Sequence, residues 1–454
     1  MIRTKNERSV GKRAMVLGFL AVLVALGLML ATNERAYAAS TFTVNLTGDQ
    51  PDFSGSDGRC DTDASALNGV QCTLRAAIQQ ANATPGADTI NFNVPGIGVK
   101  TISPASALPD VTEQVTIDGY SQPGTSANTL SQGTNAVLRI QIDGSLANAG
   151  VGLDIEANNT VVRGLVVNNS RGSGISVRSG TGNRIEGNFL GTDPSGTLDR
   201  GNFAFGAQID GGSNNTVGGT SPFQRNLISG NDSFGVEVSS NSSGDNVVRG
   251  NLIGTQKDGT SALGNSGAGV YVDTSDNTIG GTGLGEANVI AFNGGEGVFV
   301  EFVGVDRATG NRISANPIFS NGELGIDLRG GTENAVGATA NDSGDRDTGA
   351  NDLQNRPVVT SAKTAGGTTT VQAKLNSTPS DPFVVEFFSS PSGNEGQKFL
   401  GNKAVSTNSN GNVAFTFTPS QAVAVGHRIT ATATNVVGAN TSEFSAPRTV
   451  AAQQ

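Results

Sequence analysis

The sequence predicts an all-β fold centred on a three-sided parallel β-solenoid, and three observations carry that prediction. First, NTVGGTSPFQRNLISGN at Asn215–Asn231 returns 62 residues later as NTIGGTGLGEANVIAFN at Asn277–Asn293. Second, NRIEGNFLGTDPSGT at Asn183–Thr197 returns 63 residues later as NVVRGNLIGTQKDGT at Asn246–Thr260, and the two types alternate. The basic unit is therefore about 31 residues, marked by Asn183, Asn215, Asn246, Asn277 and Asn311, and a fixed period of this size is the signature of stacked repeats. Third, each unit holds three short apolar pieces separated by Gly and Asn, as in Val161-Val162, Leu165-Val166 and Gly174-Ile175-Ser176-Val177. Three strands per turn imply parallel stacking at about 4.8 Å per coil.

Before the repeats, Arg3, Lys5, Arg8, Lys12 and Arg13 precede the apolar run Met15–Ala31, and Ala36-Tyr37-Ala38 follows. A basic region, an apolar stretch and a small-x-small site read as a secretory signal peptide over 1–38. The expected mature chain is secreted or held at the cell surface, without a transmembrane anchor. The full chain carries −10, and loss of the basic leader (net +4) leaves −14. Such a charge repels phosphate backbones and argues against nucleic acid as a partner, leaving calcium and neutral or cationic groups. In an exported chain the two cysteines, Cys60 and Cys72, are expected to form a disulfide. Closing so short a loop stabilises by about 3 kcal/mol on the chain-entropy account.

Thr41–Leu46 alternates as a strand does. After Cys72, residues Leu74, Ala77, Ile78 and Ala81 fall at i, i+3, i+4 and i+7, with Thr73 placed to cap and Pro85-Gly86 to stop. This predicts a short amphipathic helix. It stands where a solenoid needs its open strand edge covered. CTLRAAIQQAN (Cys72–Asn82) with DTINF (Asp88–Phe92) resembles the CSLREA domain found ahead of parallel β-helices in exported bacterial proteins. Thr73 stands for the motif's serine and Ala76 for its glutamate. The resemblance implies location and architecture, and an N-terminal cap over 39–110.

Val111–Asp118 and Val137–Asp143 read as strands joined by the loop Gly119–Asn135, and the regular units follow. Their pattern resembles right-handed parallel β-helices of the pectin-lyase-like kind, expected here over 111–340 with roughly seven coils. Units of 31 residues leave room for loops such as Asp193–Asn202 and Gln256–Asn265. One strand aligns throughout as GLDI, GISV, GAQI, GVEV, GVYV, GVFV and GIDL. Its third position should point outward, stacking Asp154, Ser176, Gln208, Glu237, Tyr271, Phe299 and Asp327 in a column. After the acidic linker 341–355, alternating β-branched runs over 356–454 predict an immunoglobulin-like β-sandwich.

Two places could hold chemistry. Glu237, Tyr271 and Phe299, flanked by Asp273 and Glu301, combine carboxylates with aromatic rings, as contact with a polysaccharide or cell-envelope component requires. In the linker, Asp342, Asp345, Asp347, Gly349 and Asn351 offer oxygens and a glycine turn of the sort calcium uses. Histidine-dependent catalysis in the solenoid is excluded, because the only histidine, His427, falls in the sandwich. Arg163, Arg184, Arg249 and Arg312 lie near the repeat asparagines, and Arg163 is expected to pair with Glu186 across coils. The repeat asparagines themselves read as a structural ladder. No catalytic residue is assigned. The expectation is a rigid binding or spacer rod with an accessory sandwich, and the alternative is a polysaccharide lyase or glycoside hydrolase.

Overall fold

In the computed structural model three parallel sheets of nine, eight and seven strands wind into one solenoid. The structure describes residues 38–453 except 56, 65–69, 148–149, 240–243, 303–307 and 332–336. All but the last residue of the expected leader lies outside them. No helix among the described residues is long and apolar enough to cross a membrane.

The first sheet runs from Thr41–Val44 through Asp88–Phe92 and Val115–Asp118 to Arg312–Ser314. It therefore begins at residue 41, and the N-terminal segment contributes its first strands directly. The second sheet runs from Lys100–Ile102 to Ile318–Phe319, and the third from Leu153–Ile155 to Ile326–Leu328. Inward apolar residues such as Ile185, Leu190 and Ile209 fill a continuous core.

Helix α1 (Leu74–Ala83) buries Leu74, Ala77, Ile78 and Ala81 on that core, which closes the N-terminal end. Thr73 caps it, its hydroxyl accepting from Ala76 N at 3.1 Å. Cys60 and Cys72 form the disulfide, with Cα atoms 5.2 Å apart.

Stacked asparagines fasten the corners. Asn183, Asn215, Asn246 and Asn277 each donate a backbone N–H to the side-chain oxygen of the next rung, at 2.9–3.2 Å, and Asn277 passes to Asn311. Two further ladders were not anticipated. One contains Asn188, Asn226, Asn251, Asn288 and Asn316. The other contains Asn202, Asn231, Asn265, Asn293 and Asn321.

The outer face of the second sheet is not free. Val166, Phe189, Leu227, Leu252 and Val289 stack in register there as a second apolar column. The loop Gly119–Asn135 lies across it, with Tyr120 and Ala136 packed on the column. Arg225 ties that loop down by donating to the carbonyls of Leu130, Ser131 and Gly133 at 2.7–3.1 Å.

At the other end the chain forms two four-stranded sheets around a separate core that includes Phe383, Phe387 and Ile429. This sandwich closes the solenoid's last coil. Phe388 and Phe444 meet edge to face and belong to the solenoid core. Ile318 N donates to Gly396 O at 3.0 Å and Ile313 N to Thr441 Oγ1 at 3.0 Å. Two buried glutamates and the half-buried Glu395 accept further donors of the final coil. Glu386 takes Ser314 Oγ and Ala315 N, Glu395 takes Asn321 Nδ2, and Glu443 takes Thr339 N, at 2.6–2.9 Å. An unpaired edge thus becomes a satisfied one.

Candidate functional site

The third sheet presents two outward columns. Strand register stacks Asp154, Ser176, Gln208, Glu237, Tyr271, Phe299 and Asp327 in one, coil upon coil, as the aligned tetrapeptides implied. Two residues further along each strand, Glu156, Arg178, Asp210, Ser239, Asp273, Glu301 and Arg329 form the second. Across four consecutive coils there is one carboxylate per coil, Glu237 in the first column and Asp210, Asp273 and Glu301 in the second, with no lysine or arginine at the outward positions of those coils.

Burial and like charge act together there. Glu237 accepts from Gln208 Nε2 at 2.7 Å, yet burial, reinforced by Asp273 and Asp210, pushes its carboxyl up to about 7. Burial raises Asp273 to about 6, with Glu301 and Asp210 adding to the effect. Asp273 is 7% exposed and its Oδ1 has no hydrogen-bond partner. Asp210 accepts from Ser239 Oγ at 2.8 Å.

Tyr271 differs from its expected role. Its ring stacks on Phe234 at 4.6 Å between centroids and meets Phe299 edge-on at 5.7 Å, leaving it 7% exposed. It offers no free ring face to a ligand. Its hydroxyl donates to Glu301 Oε2 at 3.0 Å and so orients a carboxylate. Phe205 and Phe234, one place before the strand glycines, extend this aromatic stack and escaped the sequence reading. Their signal was the aromatic preceding Gly206 and Gly235 in two successive units. Phe299 is half-buried and Phe302 beside it is exposed.

The arginines occupy the first sheet instead. Arg163 lies in register with Glu186, but its ion pair is with Asp118, at 2.8 Å. Glu186 accepts from Gln224 Nε2 at 2.8 Å, because the loop Gly219–Gln224 folds down over it. His427 lies in the sandwich, remote from the third sheet, where its carbonyl accepts from Val450 N.

In the linker, Asp342, Asp345 and Asp347 each bring one oxygen within 4.8 Å of the others. Asp347 Oδ1 has no hydrogen-bond partner. Asp345 accepts from Asn355 N at 2.8 Å and from Gln354 Nε2 at 2.7 Å, and burial raises it to about 6. These hard oxygens fit calcium, which would draw further ligands from carbonyls and water. Gly349 and Asn351 stand outside the group. Gly349 packs on Leu353, and Asn351 is the sixth rung of the first ladder, accepting from Asn311 N at 3.0 Å. The segment docks on the sandwich through Asn376 and Ser377, which holds it as a clasp.

No family model matches the chain, and no curated protein matches it.

Proposed function

We propose that the chain is an exported, rigid rod that binds a neutral or amino-bearing polysaccharide along the outer face of its third sheet. The observation that carries this reading is the four-coil run of carboxylates, Asp210, Glu237, Asp273 and Glu301, beside Phe299. At about 4.8 Å per coil it offers a run of about 14 Å of polar groups at regular spacing, matched to an extended chain of hydroxyls. Carboxyls that titrate near neutrality can donate as well as accept. The disulfide and the resemblance of Cys72–Asn82 to the CSLREA domain support export.

A second reading, glycoside hydrolysis, draws on one observation. Glu237 is pushed up to about 7 beside an unpartnered Asp273 oxygen, and a raised acid with a second carboxylate is what that reaction needs. Diagonal neighbours on adjacent strands have Cα atoms about 8 Å apart. In that case Glu237 would protonate the leaving oxygen and Asp273 would act from the opposite side.

Affinity electrophoresis through neutral, amino-bearing and uronate polysaccharides, with reducing-end release measured in parallel, separates the readings. Retention by a neutral or amino-bearing polymer, weakened about tenfold by Asp273→Asn (about 1.4 kcal/mol), supports binding. Reducing ends released by the wild type and lost in Glu237→Gln would establish hydrolysis. Retention by none of the polymers ends the proposal.

We also propose that Asp342, Asp345 and Asp347 hold calcium and stiffen the clasp. Calorimetry should show calcium binding that Asp345→Ala combined with Asp347→Ala removes. A wild type without binding heat would dismiss the idea.

A further inference from the structure

The outer face of the first sheet ends in a cleft of about 460 Å³ beneath the sandwich. Arg249, Thr278, Glu286 and Arg312 line it from the solenoid, Glu386 and Asn402 from the sandwich. Register explains the hollow. Thr278 pairs with Val247 on one side and Arg312 on the other, while Gly280 follows beside Arg249 and pairs with Ser314. Gly280 sits at φ +84°, and a Cβ there would come within 2.2 Å of Asn316 Oδ1, so only glycine fits. The missing side chain makes room for the Asn316 rung and adds nothing to the wall between the two guanidinium groups.

The donors around that cleft are not all satisfied, although its two arginines face two glutamates. Among the described residues the Arg312 guanidinium makes no hydrogen bond or ion pair. Arg249 Nη1 lies 3.7 Å from Glu286 Oε1, a loose contact, and its Nε is buried without a partner. Glu386 feels the charge of Arg312, but its two oxygens already accept from Ser314 Oγ and Ala315 N. Arg312 is thus a half-buried guanidinium with Glu386 as an electrostatic neighbour but no bonded partner.

We propose that this cleft binds a hydroxylated organic monoanion, a sugar acid in its simplest form. The carboxylate takes the fork of Arg312 and the free Nε–H of Arg249, and hydroxyls meet Thr278, Asn402 and Glu286. A guanidinium matches a carboxylate in plane and in charge. A single carboxylate completes the unbonded fork of Arg312, whereas a phosphate dianion would bring twice the charge against Glu286 and Glu386 across the same mouth. The site is independent of the third-sheet face.

Isothermal titration of the full chain with glucuronate tests it, with glucose and inorganic phosphate as comparators. Glucuronate should bind, at least tenfold more weakly to Arg312→Gln, with Arg312→Lys intermediate because the planar fork is lost. Glucose should give no heat. Arg184→Gln, on the same sheet beside Glu186, should bind as the wild type does. Should Arg312→Gln lose its β-sheet circular dichroism, Arg249→Gln reads the same site. Absence of glucuronate heat, phosphate binding as tightly, or affinity unchanged in both Arg249→Gln and Arg312→Gln would each overturn the assignment.

Discussion

Asn265 shows what one ladder residue does. Its Oδ1 accepts from the backbone N and the Nδ2 of Asn231, at 3.1 and 2.8 Å. Its own Nδ2 donates to Ile228 O and Asn293 Oδ1, at 3.1 and 2.9 Å. Asn265→Ala strands buried partners above and below, and each stranded group costs about 1–3 kcal/mol. Urea denaturation should therefore show a loss of at least about 2 kcal/mol. A change within about 0.5 kcal/mol, as at an ordinary surface position, would contradict the ladder's energetic role. The first ladder was legible because its asparagines, Asn183, Asn215, Asn246, Asn277 and Asn311, mark the repeat itself, each after Gly, Asn or Asp. Gly182, Asn214, Asp245, Asp276 and Gly310 all have positive φ, which these residue types tolerate. The other two ladders follow a glycine at only some rungs, among them Asn188, Asn251, Asn202, Asn231 and Asn265, so no uniform doublet marks them. Their signal was an asparagine on either side of a short apolar pair, as in Asn226-Leu227-Ile228 with Asn231, and the apolar pair drew attention to itself. The fate of Tyr271 was not legible either, because only the packed structure shows Phe234 covering its ring.

At the scale of elements, the alternation of unit types has a physical cause. Each coil carries one long loop, and successive coils place it at different corners. The second ladder records this directly, its rungs lying 38, 25 and 37 residues apart. Loops of the same type are two coils apart, and they touch across the intervening short turn. Lys257 N donates to Gly196 O at 2.9 Å. A Cβ on Gly285 would fall 2.0 Å from Thr220 O, so the loops at Gly219–Gln224 and Gly281–Glu286 abut. The loops at Asp193 and Gln256 also help cover the apolar column, since Gly196 lies against Leu227 and Phe189 and Gly259 against Leu252. The period was plain in the sequence. Its purpose was not, because Phe189, Leu227 and Leu252 look like core residues whichever way they point. The linker shows the same limit. Its carboxylates were visible, but the partners that turn it into a clasp, Asn376 and Ser377, lie in another domain.

At the scale of the molecule, the sandwich does the work of one more coil, and it does so with acids. Burial raises Glu443 to about 7 despite the opposing Arg356 at 2.9 Å, and it raises Glu386 and Glu395 as well. Glu237 and Asp273 on the third sheet move in the same direction. Carboxyls raised on folding hold protons more tightly folded than unfolded. Their contribution is complete below the unfolded carboxyl range of about 4 and is lost as pH climbs through about 7. The melting temperature should therefore fall between pH 5 and pH 8, and Glu443→Gln should flatten part of that slope. A melting temperature that rises across this window would contradict the assignment. The loop alternation has one more consequence, and it concerns ancestry. A single added coil would bring two loops of the same kind onto adjacent turns and leave the apolar column uncovered. A gene for this rod can therefore lengthen or shorten without repair only in pairs of coils, 62 or 63 residues at a time.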